Sequence, residues 1–174
     1  MILLRSAEEN DIPLLQKLAC EIWVRHYTGI ISSDQIDFML EKMYNTETIS
    51  SEIKHGIQWK IVEKEKEPIG FYSFSMFKPT QCKLYKIYLK IEFHGLGIGK
   101  ICLTDVVAYA KTQKAREVIL YVNRNNEKGL RAYKAYGFTI QKEVDTDFGN
   151  GYILNDYKMS LDLLGGSLSA QANL

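Results

Sequence analysis

The sequence predicts a mixed α/β fold in a single domain. Three observations carry that expectation. Helical and alternating apolar periodicities succeed one another in the order βαα(α)βββαβαββ. The run Val118-Ile119-Leu120-Tyr121-Val122 is apolar throughout, which suits a strand buried on both faces. Three glycines at alternate positions, Gly95, Gly97 and Gly99, separate a strand-like segment from an apolar helix. A chain of 174 residues suits one domain and can bury about 70% of its unfolded surface.

Ile2 to Arg5 reads as a short first strand. Asp11-Ile12-Pro13 starts a helix, with Asp11 as N-cap and the proline in the first turn. Leu14, Leu15, Leu18 and Ile22 keep helical spacing to about Tyr27, and Gly29 ends the run. Ser32 or Ser33 caps a second helix bearing Ile36, Met39, Leu40 and Met43, and a short third helix spans Thr46 to His55. Gln58 to Glu63 and Ile69 to Phe77 form a hairpin through the charged turn 64–68. The fourth strand covers Lys83 to Ile91. The helix after the glycines buries Leu103, Val106, Val107 and Ala110. Glu117 to Val122 is the fifth strand, and Asn126 to Tyr136 is a helix stopped by Gly137. Phe138 to Val144 and Tyr152 to Leu161 are the last strands, joined by the turn 147–151. The domain is expected over residues 1–162. The small, polar residues that follow predict a disordered tail over 163–174.

The segment Lys83 to Lys100 carries the chemistry. Glycines at a strand–helix junction adopt positive φ without steric cost and let the backbone approach a ligand. The first-turn N–H groups of the helix then face that ligand, and the helix dipole favours negative charge there. A phosphate-bearing ligand is therefore expected at Gly95, Leu96, Gly97, Ile98, Gly99 and Lys100. A tight turn alone would need only one glycine. Two familiar phosphate motifs are excluded. His94 stands where the Walker loop needs its first glycine, and Ile101 replaces the magnesium-binding hydroxyl residue. The spacing Gly-x-Gly-x-Gly also differs from the dinucleotide fingerprint, and no acidic ribose ligand follows at the required distance.

A third pattern fits. Between its fourth strand and the next helix, the GNAT superfamily of acetyl-CoA-dependent N-acetyltransferases carries Gln/Arg-x-x-Gly-x-Gly/Ala. Here that aligns with His94-Gly95-Leu96-Gly97-Ile98-Gly99. Downstream the family carries an Asn, a small residue, a Tyr and then Gly-Phe, matched here by Asn126, Gly129, Tyr133 and Gly137-Phe138. The chain resembles this family from Ile2 to Leu161, with two departures: His94 replaces Gln or Arg, and Gly129 stands where Ala is common. The resemblance implies a mostly antiparallel central sheet of about seven strands flanked by helices and splayed between strands 4 and 5.

It also implies a reaction, direct transfer of an acetyl group from acetyl-CoA to an amine. On that reading the loop from His94 to Lys100 holds pyrophosphate. The backbone of Ile87, Tyr88 and Leu89 pairs with pantetheine amides as an added strand would. The Leu89 N–H faces the acetyl carbonyl. Asn126 contacts the donor, and Tyr133 is the general acid that returns a proton to the departing thiolate. Asn126, Leu130, Tyr133 and Gly137 share one helix face by spacing. Read from helix spacing alone, Tyr133 is an amphipathic core tyrosine, and Tyr136 is structural. The general base stays open among Glu21, His26, Tyr72 and Tyr88. The first helices form the acceptor wall in the family. Glu21, Trp23 and Tyr27 suit a cationic amine through charge pairing and cation–π contact. The pattern Ile22-Trp23…Tyr27 with Gln35 to Leu40 looks similar to bacterial polyamine-type members. A protein N-terminus, an amino acid and an aminoglycoside stay open as acceptors. So do two other readings, a non-catalytic acyl-CoA sensor and a nucleotide-binding module unrelated to CoA.

Composition narrows the partners. Net charge is +1, from 22 basic and 21 acidic residues, so neither nucleic acid nor an anionic membrane is expected. The expected partner is a small-molecule amine, and the resemblance adds a homodimer. Cys20, Cys82 and Cys102 are widely spaced and read as reduced thiols. His26, His55 and His94 are isolated from one another and from the cysteines, so no metal is expected. No apolar run reaches the roughly 18 residues of a spanning helix, and the N-terminus reads as too short for a signal peptide. Together these predict a cytoplasmic protein.

Overall fold

The computed structural model describes residues 1–165. The strands are β1 (Ile2–Ser6), β2 (Gln58–Lys64), β3 (Glu67–Lys78), β4 (Gln81–Leu89), β5 (Glu117–Asn123), β6 (Thr139–Gly149) and β7 (Tyr152–Asp162). The helices are α1 (Ile12–Tyr27), α2 (Ser33–Tyr44), α3 (Thr46–Lys54), α4 (Ile98–Thr112) and α5 (Glu127–Tyr136). The strands form one mixed sheet in the order β1-β2-β3-β4-β5-β7-β6. The β1–β2, β2–β3, β5–β7 and β6–β7 pairs are antiparallel, and β4–β5 is parallel. The expected fold class is the one observed. Of the expected tail, only 163–165 fall within the described residues.

The described residues divide into two compact units, Met1–Ser75 with Lys86–Leu103, and Met76–Tyr85 with the described residues from Thr104 on. The first unit buries the stripe Ile12, Leu15, Leu18, Ala19, Ile22 and Trp23 of α1. An aromatic cluster forms its core. Trp23 packs on Tyr44 and Tyr88, Tyr44 on Trp59 and Phe71, and Trp59 stacks on Phe71. The Trp23 Nε1–H donates to the Tyr44 hydroxyl at 3.2 Å, so the buried indole keeps a polar partner. Burial raises the Tyr44 pKa well above its ordinary value and keeps the phenol neutral.

Asp11 stands at the N-cap position of α1 as expected, but its side chain makes no cap hydrogen bond. Its own backbone is already helical, and its carboxylate accepts from both terminal nitrogens of the Arg5 guanidinium, at 2.7 and 2.8 Å, and from the Glu8 N–H. The Arg5 hydrogen bonds hold the Asp11 carboxyl below its ordinary pKa. Ser32, not Ser33, caps α2 by accepting from the Gln35 N–H. The β2–β3 turn is tighter than expected, with Glu65 and Lys66 both at positive φ. Pro68 falls opposite Glu63, where the register shifts, and such irregularities are where strands accept proline.

In the second unit, Val118, Leu120, Val122, Phe138 and Met159 are buried. The parallel β4–β5 ladder covers only Gln81↔Glu117 to Leu84↔Leu120. β4 then continues to Leu89 in the first unit. β6 is longer than expected and reaches Gly149, because Asn150 (φ 54°) and Gly151 (φ 79°) complete a two-residue turn of the type that matches strand twist. β6 is an exposed edge strand, and its charged residues discourage edge pairing.

Candidate active site

In the first unit, β4 ends two residues before the expected Ile91. The chain turns through a single 3-10 turn, Ile91–Phe93, and enters the glycine loop. Gly95 and Gly97 both adopt φ of 77°, the left-handed region that glycine enters without strain. A Cβ built at Gly95, Gly97 or Gly99 meets no atom within 4 Å, so their surroundings are open. The first helical hydrogen bond of α4 at this end joins the Ile101 N–H to the Gly97 carbonyl. The N–H groups of Ile98, Gly99 and Lys100 are thus the first-turn donors that an α-helix leaves without intrahelical partners. Ile98 is buried and anchors the helix start, whereas Leu96 and Lys100 are exposed. Open glycines ahead of a helix N-terminus are the donor chemistry a pyrophosphate needs.

The end of β4 is held from β3. The Lys90 N–H donates to the Ile69 carbonyl at 2.9 Å. Gly70 lies directly beneath, and a Cβ there would stand 2.3 Å from the Tyr88 carbonyl oxygen and 2.6 Å from Leu89 Cδ2. Only glycine permits this approach. The sequence reading missed Gly70, although an isolated glycine inside an apolar strand is the available signal for close backbone contact. The His94 side chain also turns toward β4, and its Nε2 lies 2.8 Å from the Leu89 carbonyl oxygen.

Glu21, Ile22, Arg25 and His26 of α1 line a cavity with Leu89, Lys90, Ile91 and His94. Its charges are arranged in pairs. Lys90 Nζ lies 3.7 Å from Glu21 and 3.3 Å from Glu67, and Arg25 lies 3.2 Å from Glu92. Trp23 belongs to the aromatic core rather than to this cavity wall, and Tyr27 packs on Trp23 and His26. A second unforeseen group lies within that core. The buried Lys86 ammonium meets the Glu52 carboxylate at 3.1 and 3.2 Å and stands 4.8 Å from the Trp59 ring centre. Trp59 Nε1–H donates to the same carboxylate at 2.9 Å. Burial lowers the Lys86 pKa, and Glu52 opposes that shift. A lysine in an alternating strand reads as solvent-facing, so only its long-range partner reveals it as buried.

In the second unit, Asn126 caps α5 by accepting from the Gly129 N–H at 2.9 Å. A Cβ at residue 129 would stand 2.7 Å from Asn126 Nδ2, which accounts for glycine at that position. Tyr133 is half-buried and packs edge-on against Phe138, 5.9 Å between ring centres. The Tyr136 hydroxyl instead lies 3.2 Å from Thr104 Oγ1. Gly137 ends the helix in the left-handed conformation, as expected.

The fold is shared with known proteins. Residues 19–138 match the model of the acetyltransferase (GNAT) family. The spermidine N(1)-acetyltransferase of Thermoplasma acidophilum is 28% identical over 150 residues, which cover 83% of this chain and 92% of that protein. A crystal structure of PaiA N-acetyltransferase from Thermoplasma acidophilum in complex with coenzyme A is similar at 27% identity and TM-score 0.80, covering 93% and 99% of the two chains. The thialysine N-epsilon-acetyltransferase of Bos taurus is 26% identical over 145 residues, covering 78% of this chain and 83% of that protein. The family match and the likeness to a coenzyme A-bound acetyltransferase thus define an acyltransferase that uses acetyl-CoA. The chain belongs to the acetyltransferase (GNAT) family. Among the described residues, no helix is long and apolar enough to cross a membrane.

Proposed function

We propose that the protein acetylates a primary amine of a small cationic molecule of the polyamine class by direct attack on acetyl-CoA. The observation that carries this reading is the Glu21 carboxylate on the cavity wall at the end of β4. Its Lys90 partner stands at 3.7 Å, a long contact that an incoming ammonium competes with. The likeness to a spermidine acetyltransferase along 92% of that protein's length supports the same acceptor class.

Donor binding, oxyanion stabilisation and departure of the thiolate each have a group to perform them. Acetyl-CoA supplies the acyl group as a thioester: the neutral amine nitrogen bonds to the carbonyl carbon, the C–S bond breaks, the nitrogen loses one proton as the sulfur gains one, and N-acetyl amine and CoA thiol result. The N–H groups from Gly95 to Lys100 take the pyrophosphate. The backbone of Ile87, Tyr88 and Leu89 aligns the pantetheine, and the Leu89 N–H faces the developing oxyanion. Asn126 keeps its Oδ1 for the helix cap and offers Nδ2 to the donor. Tyr133 protonates the departing sulfur. Trp23 and Tyr27 support the acceptor end of the site.

The test is CoA release from acetyl-CoA against a panel of amines, with spermidine, spermine and thialysine among them. Wild-type protein is expected to release CoA with the polyamines. Tyr133→Phe is expected to lower kcat on the order of a hundredfold, while CoA still raises the melting temperature. Stabilisation by CoA without turnover on any amine would instead favour an acyl-CoA sensor.

A further inference from the structure

We propose that His94 is a positioning residue for acyl transfer, and that it ties the glycine loop to the end of β4 instead of binding phosphate. The proposal rests on the reading above, in which the Leu89 N–H faces the acetyl carbonyl and the loop N–H groups face pyrophosphate. The family pattern places Gln or Arg at this position, and its alignment with the loop suggests a phosphate contact. The geometry points elsewhere. His94 Nε2 lies 2.8 Å from the Leu89 carbonyl oxygen. A carbonyl can only accept, so Nε2 carries the proton and donates.

The connection between the two residues is short and already folded. The Phe93 N–H donates to the Lys90 carbonyl and the His94 N–H to the Ile91 carbonyl, which closes the 3-10 turn. The imidazole then spans from the end of that turn back to its start. The single peptide group that joins Leu89 to Lys90 is thereby held at both of its polar ends, directly after the Leu89 N–H. On one side, the Lys90 N–H is fixed to Ile69 of β3, where Gly70 admits the close approach. On the other, the Leu89 carbonyl is fixed by His94. Gly95, which follows immediately, is at positive φ with open surroundings and supplies no packing of its own. Without the imidazole, the loop and the strand end are free to separate. An oxyanion donor works only when its N–H stands at the developing charge, and displacements near 1 Å cost about a hundredfold in rate. An amide side chain can replace the donor, so glutamine satisfies the same contact.

The test compares His94→Leu, which has no donor, with His94→Gln, which keeps one. His94→Leu is expected to lower kcat on the order of tenfold or more, with the KM for acetyl-CoA little changed, and His94→Gln is expected to recover most of the loss. The same loss is expected with acetyl-pantetheine, a donor that has no pyrophosphate. Two readouts need no turnover. Amide hydrogen exchange across Ile87 to Lys90 is expected to quicken in His94→Leu and to return to wild-type protection in His94→Gln. The imidazole nitrogen spectrum of the wild-type protein is expected to show Nε2 protonated at neutral pH. A rise in KM confined to acetyl-CoA, with kcat and exchange unchanged, would make His94 a phosphate ligand and overturn the proposal. So would an unprotonated Nε2, which stays informative if His94→Leu fails to fold. If both variants match wild type, the brace is wrong and the acetyltransferase reading stands. A wild-type protein that releases no CoA with any amine overturns that reading and the brace with it.

Discussion

The glycine loop and the end of β4 adjoin in the chain, yet they hold their shape by opposite means. The loop owes its conformation to its own backbone: Gly95 and Gly97 sit at positive φ, and no neighbouring atom would touch a side chain there. The end of β4 owes its conformation to distant partners. Gly70 lies against the Tyr88 carbonyl, Ile69 accepts from Lys90, and Glu52 compensates the buried Lys86. A ligand cradle can be written locally, because a peptide N–H needs only the right φ and ψ to point at an anion. The strand that aligns a ligand must be held by its neighbours, because a single strand has no stability of its own.

Mutations can break or sharpen this contrast. The largest effect is expected at Glu52. Glu52→Ala leaves Lys86 buried without a compensating charge and is expected to remove about 3 kcal/mol of stability, read from urea unfolding. Loss of the carboxylate at no cost would mean that Lys86 reaches water in the native protein. The same pair gives a pH dependence. Burial lowers the Lys86 pKa from 10.5, so between the folded and unfolded values the unfolded chain binds more protons. Stability due to this group therefore rises with pH across that window. The wild-type minus Lys86→Met difference in stability is expected to rise from neutral pH toward the ordinary lysine value. A flat difference would mean that Glu52 cancels the burial penalty.

A smaller effect is expected at Gly70. Gly70→Ala forces the Tyr88 and Leu89 backbone to shift, with an expected loss of about 2 kcal/mol. Thermal unfolding measures it, and the KM for acetyl-CoA is expected to rise because the displaced backbone aligns the pantetheine. The smallest effect on folding is expected at Gly95. Gly95→Ala meets no steric obstacle and carries only the left-handed backbone penalty of about 1 kcal/mol. Its affinity for CoA is nevertheless expected to fall more than that of Gly70→Ala. The reverse ranking of affinities would show that the cradle depends on packing after all.

Local features were the ones legible before the structure. The element order, the positive-φ glycines, the left-handed stop at Gly137 and the spacing of Asn126, Gly129 and Tyr133 are all statements about residues within a few positions of one another. The errors of local detail also have local causes. Asp11 has the right side chain for a cap, but Arg5 offered its carboxylate a stronger, charge-assisted partner. The fourth strand stops at Leu89 rather than Ile91 because the chain must turn into a 3-10 bend before the glycines. Trp23 differs from these, because its indole packs on partners distant in the sequence, Tyr44 and Tyr88, in the core.

What the order of residues determines here is the backbone: which segments coil, which extend, and where glycines let the chain turn an N–H outward. Those choices follow from φ, ψ and apolar periodicity, which act between near neighbours. Tertiary structure alone decided which side chains meet. It placed Gly70 beneath Tyr88 and Glu52 beside Lys86. The physical reason is that these contacts depend on strand register and helix packing, and such distances arise only once the apolar faces are buried together.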